Sequence, residues 1–293
     1  MRCPDRPGRR GRPGHPFGRV KRQHHPPAAH PSRPAPTVPA GFITGAAANN
    51  ASQFIAATGV TPGILEHYVH FGAPFNVAFA SPAVPMIQIE PNRPLSDVVA
   101  GQEDTWLRAY ATAAVRYKHP LILGFAPEMN GDWYRWGWKH VTPAVYIAAW
   151  RHVVTVFRQA GAANVRWLWT VNVSDLGSNV PSPRVSSVRQ WYPGDQWVTW
   201  VGMDGYCYVS SQGFTNIFGA TLHELRALTS RPVLISETAI APEAGQAAKI
   251  PALFTGARQA GVLGLVWFNL PGNRAWPLAR SAAVAAFRKA ATG

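Results

Sequence analysis

Cysteine is almost missing from this sequence. The 293 residues hold two, Cys3 and Cys207, one near the N-terminus and one far along the chain, which rules out both a disulfide framework and a cysteine zinc site. No run of about 18 apolar residues occurs, so no hydrophobic membrane-spanning helix is expected. The N-terminus also lacks the apolar stretch of a signal peptide. There is no Gly-x-Ser-x-Gly elbow, no His-Glu-x-x-His and no Gly-x-Gly-x-x-Gly after a strand, so serine-hydrolase, zinc-protease and dinucleotide chemistry find no support and no cofactor is expected. Acids are few as well: 14 Asp+Glu stand against 28 Lys+Arg, for a formal charge of +14.

That charge would point to a polyanion partner if it covered a folded face. It is instead concentrated in residues 1–40, which hold nine Lys+Arg, one acid and ten of the 27 prolines. Such a segment cannot bury enough apolar surface to offset the entropy of ordering, and it reads as a disordered tail or linker. The remainder, 41–293, reads as one domain. No specific nucleic-acid partner is expected, and the His24-His25 pair reads as solvated rather than metal-binding.

From Gly41 onward, short apolar runs alternate with helical patterns, the mark of repeated βα units around a parallel sheet. Eight strands are expected: 42–45, 64–71, 84–89, 121–126, 165–172, 198–206, 233–236 and 263–269. Runs such as Leu121-Ile122-Leu123 and Val233-Leu234-Ile235 are apolar throughout, as strands buried on both faces should be. Trp106, Leu107, Tyr110, Ala114 and Tyr117 recur at helical spacing. Thr142-Pro143 supplies an N-cap and first-turn proline for another helix. Thr221 with Glu224 reads as a capping box before Leu225 and Leu228. Helices are also expected over 244–260 and 281–291, whereas units 2 and 5 show no clear helix. The fold class this implies is α/β, a (β/α)8 TIM barrel, for which about 250 residues suffice.

In such a barrel the working side chains project from the C-terminal ends of strands. Glu90 follows the third strand, Glu128 the fourth and Glu237 the seventh, and Asp204 lies near the end of the sixth. Cleaving a glycosidic bond needs one carboxyl group to protonate the leaving oxygen and a second to attack or stabilise the cationic anomeric centre; a separation of roughly 5 Å suits retention. Glu128 and Glu237, on nearly opposite walls, fit those roles. The bland alternative is that they pair with arginines at the rim. After Glu128 comes Met129-Asn130-Gly131-Asp132-Trp133-Tyr134-Arg135-Trp136-Gly137-Trp138. These aromatics form no one-sided helical stripe and are costly to leave wet unless something stacks on them. Pyranose rings have apolar faces, so Asn130, Trp133 and Trp136 are candidate substrate contacts, with at least one of the tryptophans expected to pack beneath the loop. Trp267, ending the eighth strand, is a candidate sugar platform or a core residue. Tyr206 could donate its phenol proton to the nucleophile.

Together, Glu128-Met-Asn-Gly-Asp-Trp133, Val201-Gly-Met-Asp204-Gly-Tyr206 and Ile235-Ser-Glu237-Thr resemble glycoside hydrolase family 26, over residues 41–290. The resemblance implies a retaining enzyme with Glu128 as acid/base and Glu237 as nucleophile. It implies that Trp133 and Trp267 border the −1 sugar, that Tyr206 contacts the nucleophile, and that Asp204 serves as a substrate or supporting polar residue. The substrate implied is a β-linked polysaccharide, endo-β-1,4-mannan by default, with β-1,3-xylan and mixed-linkage β-glucan as alternatives. The family usually has His before the acid/base; here it is Pro127, which has no side-chain hydrogen bond or backbone donor. Asn130 is the candidate to supply the missing contact. A glycan-binding barrel without turnover is the non-enzyme alternative. A monomer acting outside the cell is expected, since polymers must be degraded there.

Overall fold

The continuously apolar runs form parallel strands. The computed structural model describes residues 41–173, 184–272 and 274–293; the 1–40 tail, with Cys3 and His24-His25, lies outside them. Eight strands, β1 (Ile43–Ala47), β2 (Ile64–His70), β3 (Val84–Glu90), β4 (Leu121–Phe125), β5 (Val165–Asn172), β6 (Trp200–Asp204), β7 (Val233–Thr238) and β8 (Gly264–Phe268), close in sequence order into a barrel. The sequence places all eight, with ends that coincide or differ by at most two residues.

Around the barrel run α1 (Ala51–Thr58), α2 (Leu95–Val99), α3 (Asp104–Tyr117), α4 (Pro143–Gln159), α5 (Phe214–Leu228), α6 (Gln246–Gln259) and α7 (Ser281–Thr292). After β2 and β5 the described residues carry only short 3₁₀ turns, as the weak helical pattern there implies. Thr142 accepts from the Val145 amide to cap α4, with Pro143 in the first turn, satisfying a donor that the helix start would otherwise leave open. The buried stripe of α4 sets Trp150 and Phe157 edge-on to Trp167 of β5, with centroids 6.2 and 5.2 Å apart. Full burial of side chains this large stabilises the fold by roughly 1.5–3 kcal/mol each.

One helix start differs from the sequence reading. Thr221 does not open α5 but lies buried at its midpoint, because Phe214, Ile217 and Phe218 extend the apolar stripe toward the N-terminus. The helix starts after Gly213, whose amide donates to Asn216 Oδ1. Glu224 turns outward from that stripe and accepts from Ser187 and from the Val188 amide.

Inside the barrel, side chains alternate inward every second residue. Ile43, Ile64, Met86, Ile122, Leu168, Trp200, Leu234 and Val266, one per strand, form an apolar floor. The next inward positions are small or polar: Glu66, Gln88, Gly124, Thr170, Gly202 and Ser236. Glycine is required here by space. A Cβ on Gly124 would lie 1.8 Å from Gln88 Oε1, and one on Gly202 would lie 2.5 Å from both Ser236 Oγ and Thr170 Oγ1. The third tier is Tyr68, Glu90, Asn172 and Asp204, at the C-terminal ends of their strands. Strand β7 joins it through an irregularity: Met203 pairs with Ile235 and the next residue, Asp204, with Glu237, so Ser236 is skipped. The extra residue lets Ser236 and Glu237, neighbours in sequence, both reach inward, which strict alternation forbids.

Candidate active site

A cavity of about 700 Å³ opens at the C-terminal end of the strands, and Glu128 and Glu237 both line it. The chain reaches Glu128 through an unusual turn. Ala126 (φ 46°) and Glu128 (φ 54°) both sit in the left-handed region on either side of Pro127, a conformation that costs L-residues on the order of 1 kcal/mol each and persists only where the surroundings impose it. Here the Ala126 amide donates to Ile89 O and the Glu128 amide to Thr170 O, both at 2.9 Å, so β3 and β5 hold the turn from its two sides.

The Glu128 carboxylate accepts one donor at each oxygen: Asn172 Nδ2 to Oε1 at 2.5 Å and Trp133 Nε1 to Oε2 at 2.7 Å. Asn172 is itself clamped, because its backbone amide donates to Asn130 Oδ1 at 2.9 Å and its carbonyl accepts from Asn130 Nδ2 at 2.8 Å. Glu237 is held differently. Tyr68 donates its phenol proton to Oε1 at 2.5 Å, and Tyr206 donates to Oε2. Burial, then the nearby charge of Glu237, pushes the Glu128 carboxyl up to about 8, against the pull of Asn172 and Trp133. Burial raises Glu237 too, but the phenols of Tyr206 and Tyr68 work to keep it ionised. Two carboxyl groups with these contrasting partners can share acid and nucleophile duty.

Of the other residues singled out from the sequence, the structure brings Trp133 and Tyr206 to the cavity wall. Trp133 is 37% exposed, flanked by the Arg184 guanidinium 5.5 Å from its ring centroid. The remaining four sit elsewhere. Asn130 is fully buried, with its amide committed to Asn172, so it is not exposed to the cavity and does not stand in for a histidine at Pro127; Asn172 and Trp133 supply the donors at Glu128. Trp136 is buried beneath the loop, donating to Pro127 O at 2.7 Å and stacked on Tyr134 at 4.4 Å. Asp204 is buried below the cavity and accepts from Ser236 Oγ at 2.6 Å. Trp267 packs fully buried on the helix side of β8, its ring 5.6 Å from Phe287 of α7. One residue further on, alternation turns Phe268 into the cavity instead.

Tyr68, Asn172, Tyr208 and Trp276 also line the cavity, and sequence reasoning passed over all four. Tyr68 and Asn172 carried a usable signal, being polar-tipped residues on inward positions at strand ends. Trp276, in the segment after β8, belongs to no periodic pattern. Its ring lies 4.9 Å from that of Tyr206. Among the described residues, no group of three or more His, Cys, Asp and Glu is arranged to hold a metal ion.

Glu66 was also overlooked. It lies fully buried in the second tier, accepting from Gln88 Nε2 at 3.1 Å. Burial, then the negative charge of Glu237, holds its carboxyl well above the usual range. The folded chain therefore keeps a proton that the unfolded chain releases above pH ~4, and stability from this group falls as pH climbs from there toward the raised folded value. Glu66→Gln, which cannot ionise, is expected to raise Tm over wild type by a margin that widens between pH 5 and pH 9. A margin that stays constant across that range would remove Glu66 as the source of the pH dependence.

A model of glycosyl hydrolase family 26 matches residues 104–248. Endoglucanase H of Acetivibrio thermocellus is 31% identical over 209 residues, which is 66% of this chain and 22% of that protein. The chain thus spans about a fifth of the length of the curated relative it matches. Among solved structures, the catalytic domain of the GH26 endo-beta-1,4-mannanase from Bacillus sp. JAMB-750 superposes with a TM-score of 0.66 at 14% identity, covering 86% of each chain. GH26C from Muricauda sp. MAR_2010_75 does so with a TM-score of 0.62 at 18% identity, covering 86% of this chain and 85% of its own. At these identities the two structures speak to the fold alone.

Proposed function

Because this chain belongs to glycosyl hydrolase family 26, we propose that it cleaves a β-linked polysaccharide by double displacement, with Glu128 as acid/base and Glu237 as nucleophile. The observation that carries this reading is a pair of buried carboxyl groups brought to one cavity at the C-terminal ends of the strands, with a side-chain donor on every one of their oxygens. Glu237 receives a phenol proton at each oxygen, which favours the carboxylate. Glu128 is pushed up to about 8 and so holds its proton at neutral pH.

In the first step Glu128 gives its proton to the glycosidic oxygen as one Glu237 oxygen bonds to the anomeric carbon. The aglycone leaves as an alcohol and a glycosyl ester remains. In the second step the Glu128 carboxylate takes a proton from water, the water oxygen attacks the anomeric carbon from the face the aglycone left, and the Glu237 ester bond breaks. One water is consumed, the proton returns to Glu128, and two inversions give net retention. Tyr68 and Tyr206 fix the nucleophile so that it need not reorganise as charge leaves it. Trp133 and Phe268, both partly exposed, offer flat apolar faces to sugar rings.

For the substrate, a β-glucan backbone is the first reading, since the relative at 31% identity is by its name an endoglucanase. Mannan is the second, the default that the motifs around Glu128 and Glu237 imply; Pro127, where the family usually has His, speaks against it. A polymer of either kind is too large to enter a cell, so the enzyme would act outside it.

The test is a panel of mixed-linkage β-glucan, mannan, β-1,3-xylan and chitin, with the first-formed reducing anomer followed by NMR. Release of β-anomer from a glucan or mannan is expected. An α-anomer appearing first would overturn retention. Tight binding with no cleavage of any polymer would turn the reading into a glycan-binding barrel.

A further inference from the structure

Glu90 is a third carboxylate on the cavity wall. It occupies the last inward position of β3, next to the strand that leads to Glu128. Both Glu128 and Glu237 feel its negative charge. The other carboxylates of the barrel interior all have donors: two each for Glu128 and Glu237, Ser236 for Asp204 and Gln88 for Glu66.

Glu90 differs. Among the described residues, no N–H or O–H hydrogen-bonds to its carboxylate. Among the described residues the basic side chain within 4 Å of it is His70, whose Nε2 lies 3.9 Å from Oε2, beyond hydrogen-bond reach. The His70 ring is 61% exposed and its Nδ1 is already paired with the Glu90 backbone carbonyl at 3.0 Å. An ion pair that long and that wet contributes little. Yet the Glu90 side chain is only 17% exposed, and burial pushes its carboxyl up. A largely buried carboxylate has about four lone-pair sites to satisfy, and leaving them unmet is costly. The donors must come from what enters the cavity. On a polysaccharide these are hydroxyls, and two on adjacent ring carbons can meet the two carboxylate oxygens together.

We propose that Glu90 is a substrate-binding residue that grips a pair of hydroxyls on a sugar beside the scissile bond and selects neutral glycans over uronate-bearing ones. The selection follows from charge. A sugar carboxylate brought to this wall would meet Glu90, Glu128 and Glu237; the guanidinium on the same cavity wall, Arg184, is paired with Asp132 at 2.8 Å, and His70 beside Glu90 is exposed.

The inference rests on the glycosidase reading for its substrate, but its test reads binding rather than turnover. Cellotetraose, mannotetraose and a glucuronic-acid-substituted xylotetraose are titrated into Glu237→Ala protein, with tryptophan fluorescence from Trp133 and Trp276 as the reporter. Adding Glu90→Ala is expected to weaken the neutral tetrasaccharide that binds by roughly tenfold to a hundredfold, the scale of lost charge-assisted hydrogen bonds. Glu90→Gln, nearly the same shape and able to accept at one oxygen, is expected to retain part of that affinity and to bind the acidic tetrasaccharide better than the Glu90 parent does. Neutral affinity unchanged in Glu90→Ala overturns the proposal, as does failure of both neutral tetrasaccharides to bind the parent. A wild-type enzyme that cleaves nothing in the polysaccharide panel while these affinity shifts appear would sink the catalytic reading and leave Glu90 standing.

Discussion

Glu237→Ala is expected to lower turnover of a β-glycan by a factor of about 10⁴ to 10⁶, the range seen when an attacking group is deleted, and azide is expected to restore cleavage of an activated aryl glycoside. Alanine removes the atom that bonds to the anomeric carbon and leaves a space about the size of the lost carboxylate. That space is flanked by the phenols of Tyr68 and Tyr206, which pointed their protons at Glu237. A small anion entering it finds the same two donors and approaches the same face of the sugar, so the product is a glycosyl azide of inverted, α configuration. A variant that keeps wild-type activity, or a rescued product of β configuration, would remove Glu237 from the role of nucleophile.

Glu128→Ala should behave in a way that depends on the leaving group. A polysaccharide leaves as a poorly stabilised alkoxide and needs a proton, so loss of the acid should cost about 10²- to 10⁴-fold on polymer. A dinitrophenyl glycoside leaves unaided, and its bond-breaking step should be slowed far less. The pH profile gives an independent readout. Burial beside Glu237 holds Glu128 protonated up to about 8, so wild-type kcat/KM on polymer should fall as pH rises through that value and the acid gives up its proton. With dinitrophenyl substrate the Glu128→Ala variant should lose that alkaline limb. An unaltered limb in the variant would assign it to another group.

The barrel was legible because its strands are buried on both faces and therefore read as short apolar blocks, several of them closed by a polar residue where the cavity begins. That same logic marked Glu128 and Glu237, which the structure brings into one cavity. Errors arose where face mattered more than position. Trp267 and Phe268 are adjacent aromatics at a strand end, and only the period of two along β8 decides that the smaller ring meets the cavity. At β7 the period fails: a skipped residue lets Glu237 turn inward directly after Ser236, and no sequence signal announces it. Asn130 looked like a ligand contact because it follows the acid, but its partner Asn172 lies 42 residues away. Thr221 and Glu224 matched a capping pattern that the earlier apolar stripe of α5 overrode, a case of packing outweighing local preference.

The clamp between Asn130 and Asn172 also bears on how this protein ages. Asn130 is followed by Gly131, the pairing most prone to spontaneous deamidation, because an unhindered glycine amide nitrogen can close onto the asparagine side-chain carbonyl. Here that nitrogen donates to Glu128 O at 2.9 Å, and both ends of the Asn130 amide are engaged with the Asn172 backbone. Ring closure would have to break all three bonds inside a site from which Asn130 is shut off from water. Were the reaction to succeed, an aspartate could no longer donate to the Asn172 carbonyl, and a new negative charge would sit beside the support of the acid. The contacts that orient Glu128 thus also act as a chemical preservative, confining hydrolytic wear at this site to molecules that have already begun to unfold.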